Sequence, residues 1–344
     1  VTDPSAPAVS PPPLRTVDGN PAPSALLFDT HVLPDGTRLR LAGARPERPA
    51  RGTVLILQGR NETVEKYFET MGDLLAEGFA VATFDWRGQG ASSRSTPLAS
   101  VGHVASIEQL ALDLEHVLEH LVPERMPGPV AILAHSLGGL VALHAMERIE
   151  GSVERLVLSA PLVQIPGSRT TRRLIGAVCA LLHGTGLGFL PVRRAALPGA
   201  EPERSDLSSD PARLRRNAAL ARASGDWAVS GLSASWLRAV LKSCRRLERS
   251  DVIARMGIPT LVLTAGADSV VSPQASSQLA WRMRTGHGIT VPGARHELLQ
   301  EADRYRAPVL AATIGFLEQA LPRNVEAPPL DVADIAQTLE KALV

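Results

Sequence analysis

VAILAHSLGGLVALHAM, residues 130–146, carries three local signals in direct succession. Val130 to Leu133 is a short apolar run of the kind that forms a strand buried on both faces. Leu140 to Met146 continues as an apolar helical run. Between them lies Ala134-His135-Ser136-Leu137-Gly138-Gly139. A chain that passes from strand to helix this quickly needs a tight turn, with small residues two before and two after the serine. Gly138 meets that requirement fully, and Ala134 stands where glycine is usual. Such an elbow presents the Ser136 hydroxyl at the carboxyl edge of a sheet. It also aims the Leu137 backbone N–H at the place where an attacked carbonyl oxygen would gain negative charge. The competing reading is that the small residues only let strand and helix pack closely, with Ser136 as a spacer.

A serine hydroxyl is a weak nucleophile until a base takes its proton, and the base needs an acceptor that fixes its tautomer. Behind a serine elbow the chain order is Ser, then Asp or Glu, then His. Asp268 follows the apolar run Thr260 to Thr264, and His296 follows Gly288 to Val291. Both therefore leave strands at the edge where Ser136 sits. Asp268 could instead cap a helix, since SPQASSQLA follows it, and His296 could be a loop histidine at the surface. Asp251 precedes its strand and falls at the wrong edge, and His135 is expected to pack near the sheet. A second N–H for the oxyanion is expected in the loop after Thr53 to Leu57, Gln58-Gly59-Arg60-Asn61-Glu62. Gly59 lets the backbone approach closely, and Arg60 supplies the N–H. The Arg60 side chain has two readings, a reach toward a substrate headgroup or a pair with Glu62.

Outward from the elbow, strand and helix signals alternate. Leu26 to Leu33 and Thr37 to Gly43 flank Pro34-Asp35-Gly36, a hairpin turn. Tyr67 to Glu77 is helical, Phe79 to Phe84 is a strand, and Ser106 with Gln109 gives a capping-box start to a helix. With Arg155 to Leu158 added, the pattern predicts an α/β fold with a mostly parallel, doubly wound sheet. The core spans 25–160 and 251–321. The alternation breaks across 161–250, which predicts a helical cap without strands. That segment holds 15 Lys+Arg against 6 Asp+Glu, a net +9, whereas the remainder holds 21 against 29, a net −8. Its apolar run Leu174 to Leu182 falls short of the ~20 residues a membrane span requires.

Residues 1–24 read as a flexible proline-rich arm without the apolar segment of a signal peptide, so the expected location is cytoplasmic. Residues 322–344 read as a linker and an amphipathic helix docked on the chain's own surface. Cys179 and Cys244 lack CxxC spacing and are read as free structural thiols. His116-Val117-Leu118-Glu119-His120 matches a zinc-protease pattern, but helical phasing turns both histidines toward solvent and no third ligand is near, so no metal is expected. The formal net charge of +1 argues neither for nor against nucleic acid, which is not among the expected partners.

Five segments together resemble one family: QGRNETVEKYFE (58–69), FDWRGQGASSR (84–94), AHSLGG (134–139), LTAGAD (263–268) and GARHELLQE (293–301). They are similar to bacterial lysophospholipases and monoacylglycerol lipases of the α/β-hydrolase superfamily, over most of 26–321. The resemblance implies Ser136, Asp268 and His296 as triad, with Arg60 and Leu137 as oxyanion donors. It implies a helical cap, no cofactor, and a carboxylic ester with one long acyl chain as substrate. The departures are Ala134 for Gly, and Gln58 where lipases of this group often carry His. The alternatives are hydrolysis of small esters or peptides, and a hydrolase-like binding protein without catalysis. An apolar cap helix rimmed by arginines either dips into an anionic membrane surface or simply roofs the pocket.

Overall fold

The computed structural model describes residues 13–96, 98–194 and 205–321. In chain order the elements are β1 (Leu27–Val32), β2 (Arg38–Ala44), β3 (Thr53–Leu57), α1 (Phe68–Ala76), β4 (Ala80–Phe84), β5 (Val101–Gly102), α2 (Ile107–His116), α3 (Val122–Arg125), β6 (Val130–His135), α4 (Leu137–Ile149) and β7 (Arg155–Ser159). They continue with α5 (Arg169–Gly184), β8 (Pro191–Arg194), α6 (Pro211–Ala223), β9 (Gly231–Ser233), α7 (Ala234–Leu247), α8 (Ser250–Ala254), β10 (Thr260–Ala265), α9 (Pro273–Arg282), β11 (Gly286–Val291) and α10 (Asp303–Glu318).

Eight strands form the main sheet in the order β1-β2-β4-β3-β6-β7-β10-β11. β1 and β2 run antiparallel at one edge, and the six strands from β4 to β11 are parallel. Strand periodicity explains why helices cover both faces. In β3, Leu55 and Leu57 join one apolar cluster with α2, α4 and α7, while Val54 and Ile56 join the other with α1 and α10. β6 divides in the same way, with Ile132 and Ala134 on the first side and Ala131 and Leu133 on the second. A sheet apolar on both faces stays folded only when both are roofed. The doubly wound, mostly parallel α/β architecture read from the sequence is what forms.

Three local readings differ from the structure. Ser106 is the N-cap of α2, but its side chain makes no capping bond; Gln109 instead accepts from the Ala105 N–H at 3.2 Å. The cap also holds strands. β8 pairs antiparallel with β9, and β9 pairs parallel with β5, which belongs to the core segment. Strands of two to four residues are too short for a periodic signal, so the sequence showed only the helices. Residues 13–24 contain no helix or strand, yet they are docked. The Asn20 side-chain amide donates to the Glu65 carbonyl at 2.9 Å, and the Arg15 guanidinium stacks on Trp227 at 4.3 Å. The rest of the proline-rich stretch, 1–12, lies outside the described residues, as do the expected linker and helix of 322–344.

Candidate active site

Ser136 sits between β6 and α4 with φ 48° and ψ −108°, a left-handed conformation that costs a non-glycine residue about 1–3 kcal/mol. Its surroundings hold it there. The Ser136 N–H donates to the Ser159 carbonyl at 3.1 Å, and its own carbonyl accepts from Leu162 at 2.9 Å and Leu140 at 3.2 Å. A Cβ on Gly138 would lie 2.8 Å from the Leu57 Cβ, so only glycine lets α4 start this close to β3. Ala134 is fully buried within β6.

Strand register brings the remaining residues to the same edge. Ala134 pairs with Leu57 and with Leu158, and Ser159 pairs with Leu263. The loops after β3, β6 and β10 therefore emerge side by side, and β11 follows next to β10. The His296 Nε2 lies 3.0 Å from the Ser136 Oγ, and its Nδ1 lies 2.7 Å from the Asp268 Oδ2. The second Asp268 oxygen accepts the N–H groups of Val270 at 2.8 Å and Val271 at 2.9 Å. Asp268 thus caps a turn and faces the histidine at once, while the cap of α9 is Ser272. All three side chains are nearly shut off from solvent. Leu137 opens α4, where helix geometry leaves its N–H without an intrahelical acceptor. Arg60 lies in the loop after β3, the strand that pairs with β6 through Leu57 and Ala134.

Beneath the loop is a buried charged network that the sequence did not reveal. The Glu62 Oε2 accepts from the Gly59 N–H at 2.5 Å and from the Tyr67 hydroxyl at 2.7 Å. The Lys66 Nζ bridges Glu62 at 2.7 Å and Glu297 at 2.6 Å. Burial alone would raise the Glu62 carboxyl; Lys66 and then His135 hold it below the ordinary glutamate value. The Arg60 guanidinium lies 5.5 Å from the Trp236 ring centre. The i, i+4 spacing of Glu62 and Lys66 is visible in the sequence. Glu297 is 231 positions from Lys66, and only the fold joins them.

His135 donates from Nδ1 to the Ser159 carbonyl at 3.1 Å, and its ring centre is 4.9 Å from that of His296. Burial pushes its pKa down to about 4, so it is neutral at physiological pH. It packs under the sheet edge, as the sequence suggested. His116 and His120 lie on the outer side of their helix, with the His116 Nε2 3.1 Å from that of His31. Among the described residues, no group of three or more His, Cys, Asp or Glu side chains is arranged to hold a metal. Cys179 and Cys244 are both free and buried, and burial pushes the Cys244 thiol up to about 12. Asp251 is exposed on α8 and paired with Arg249.

The family described as serine aminopeptidase, S33, matches residues 48–303. Lysophospholipase L2 of Escherichia coli K12 is 30% identical over 77% of this chain and 80% of its own. A probable lysophospholipase L2 of Haemophilus influenzae is 26% identical over 84% of this chain and 92% of its own. Among solved structures, a soluble variant of monoglyceride lipase from Saccharomyces cerevisiae superposes with a TM-score of 0.68 at 20% identity, covering 86% of this chain and 97% of that one. Matched over most of its length, the chain belongs to the serine aminopeptidase S33 family and has the α/β-hydrolase fold.

Proposed function

We propose that the protein is a serine ester hydrolase that cleaves the acyl ester of a single-chain lipid, a lysophospholipid or monoacylglycerol, through an acyl-enzyme on Ser136. The observation that carries this reading is the continuous buried chain from the Ser136 Oγ through His296 to Asp268, at 3.0 and 2.7 Å. The lysophospholipase names of the matched relatives supply the substrate class.

In the proposed cycle the Ser136 Oγ attacks the ester carbonyl while the His296 Nε2 takes its proton. Asp268 holds the imidazole by Nδ1 and stabilises its positive charge. The backbone N–H groups of Arg60 and Leu137 receive the oxyanion, with Gly59, Ala134 and Gly138 shaping loop and elbow. The glycerol-bearing alcohol leaves with the proton from His296. Water then attacks the acyl-enzyme through the same base and releases the fatty acid. No step calls for a metal or organic cofactor.

The test uses a fluorophosphonate probe and matched substrates: a long-chain lysophospholipid, a monoacylglycerol, a short p-nitrophenyl ester and an aminoacyl p-nitroanilide. The expected result is labelling that Ser136→Ala abolishes, with kcat/KM highest on the long-chain lipid esters. Labelling that persists in Ser136→Ala would refute the nucleophile. Highest kcat/KM on the anilide would move the substrate class to peptides.

A specific observation adds contact with a lipid surface to this reading. Leu174, Val178 and Leu181 form a one-sided stripe on α5 and are 66%, 50% and 68% exposed. Leu187, Phe189 and Leu190, just beyond α5 in the chain, are also exposed. No described helix is long and apolar enough to cross a membrane, so the stripe is suited to lying in the interface. Leu174→Asp with Leu181→Asp is expected to reduce sedimentation with lipid vesicles at least tenfold; unchanged sedimentation rules the stripe out.

A further inference from the structure

Several buried or half-buried arginines in this protein are matched to carboxylates. Arg40 pairs with Glu65 and Asp85, Arg87 with Asp113, Arg213 with Glu69, and Arg306 with Asp73. In the cap, four arginines instead gather around one space. Arg169, Arg172 and Arg173 on the first turns of α5 face Arg245 on α7 across a small cleft. Among the described residues, none of these four forms an ion pair with a carboxylate. Arg172 spends its Nη1 on the carbonyls of Ile165 and Gly167. The Arg245 guanidinium packs over α5 at Gly176, with its Nη1 3.8 Å from where a Cβ there would stand. Glu248 is the one carboxylate on the rim, leaving a formal excess of three positive charges around the space.

Like charges gathered around a concavity repel one another, and Glu248 offsets only one of the four. An anion in the cleft would. Leu241 and Cys244 line the same cleft, and both are nearly excluded from solvent. An apolar wall lowers the local dielectric and strengthens any charge-assisted hydrogen bond made there. The cavity measures about 50 Å³. A single water needs ~10–15 Å³ on that measure, so the space suits a cluster of a few oxygens rather than an acyl chain. Guanidinium forks bind the oxygens of a tetrahedral phosphate bidentately, which an ammonium cannot do.

We propose that the cleft between α5 and α7 binds a phosphate group, separately from the reacting centre. The favoured source is a phospholipid headgroup. This rests in part on the proposed lipid reading, because the exposed stripe of the same α5 would set the cleft at headgroup level. A soluble phosphate monoester offers the same chemistry, and the two sources separate by experiment.

The test compares wild type with Arg172→Gln/Arg245→Gln and Arg172→Lys/Arg245→Lys, each checked for folding by circular dichroism. Sedimentation uses three vesicle types: phosphatidylglycerol, phosphatidylcholine, and an uncharged, phosphate-free lipid doped with a carboxylate amphiphile to matched charge. Calorimetry uses sn-glycerol 3-phosphate. Expected is wild-type binding to phosphatidylglycerol at least tenfold tighter than to the carboxylate vesicles. The Gln pair should lose at least tenfold, and the Lys pair should recover only part. Binding of glycerol 3-phosphate that the Gln pair abolishes supports the site and assigns it to soluble phosphates. Without a glycerol 3-phosphate isotherm, either equal vesicle binding by wild type and the Gln pair or equal binding to phosphate and carboxylate surfaces overturns the proposal. Hydrolysis of a soluble p-nitrophenyl ester is expected to be the same in all three proteins. Absence of that activity in wild type would fail the hydrolase reading while leaving the phosphate result to stand by itself.

Discussion

At Ser136 the backbone itself records a specialised position. A serine at φ 48° is strained, and the bonds to Ser159, Leu162 and Leu140 keep it so. The sequence could supply the tight turn because its requirement for small neighbours is steric and local. It assigned Asp268 as the partner of the base and left a cap as the second reading; one carboxylate oxygen takes the Val270 and Val271 N–H groups while the other faces His296. Gly138 tests the elbow without touching the reacting atoms. Gly138→Ala places a methyl against the Leu57 backbone and Cβ, and the neighbour is main chain in mid-sheet, which cannot swing aside. Overpacking of this kind costs about 1–3 kcal/mol. The variant is expected to melt several degrees lower and to react with a fluorophosphonate at least tenfold more slowly; wild-type labelling would show that the elbow tolerates the shift.

Among elements, what matters is how loops from distant strands are fixed to one another. Glu62 ties down the Gly59 N–H, which orients the following peptide that carries the Arg60 N–H. Lys66 then links Glu62 to Glu297, the neighbour of His296. One buried lysine thus spans the loop proposed for the oxyanion and the loop that carries His296. Burial would strip its proton, but Glu297 and then Glu62 raise its pKa above the ordinary lysine value, so it stays charged. Glu62→Gln keeps the size and the Gly59 contact but leaves Lys66 with half its countercharge. The expected outcome is a fall in kcat of tenfold or more with KM nearly unchanged. Affinity for a trifluoromethyl ketone, which mimics the tetrahedral intermediate, should fall in parallel. A change in KM alone would assign Glu62 to substrate binding instead. Periodicity made strands and helices legible wherever they were long enough to repeat. β5, β8 and β9, like the link to Glu297, depend on pairings that exist only after folding.

For the whole molecule, the doubly wound architecture was legible because a sheet buried on both faces leaves continuous apolar runs such as Val130–Leu133. The electrostatic consequence of that burial was not. His135 has a pKa of about 4 in the folded protein against 6.5 when exposed, caused first by burial and modulated by Glu62, His296, Lys66 and Glu297 around it. Between those two values the unfolded chain holds a proton on His135 that the folded chain does not. Stability therefore falls as pH drops from about 6.5 to about 4, by about 3 kcal/mol in total from this residue. Glu62 acts in a lower window. Its folded pKa is depressed, so its contribution is present above the ordinary glutamate value and is lost only as pH falls further. Acid destabilisation should accordingly begin near pH 6.5, before carboxylates titrate. Urea unfolding at a series of pH values checks this, with His135→Asn as the comparison, since Asn can still donate to Ser159. The variant is expected to show a flatter stability curve between pH 6.5 and 4.5 and the same decline as wild type below pH 4. Parallel curves for the two proteins through the upper window would place the early acid loss elsewhere in the molecule.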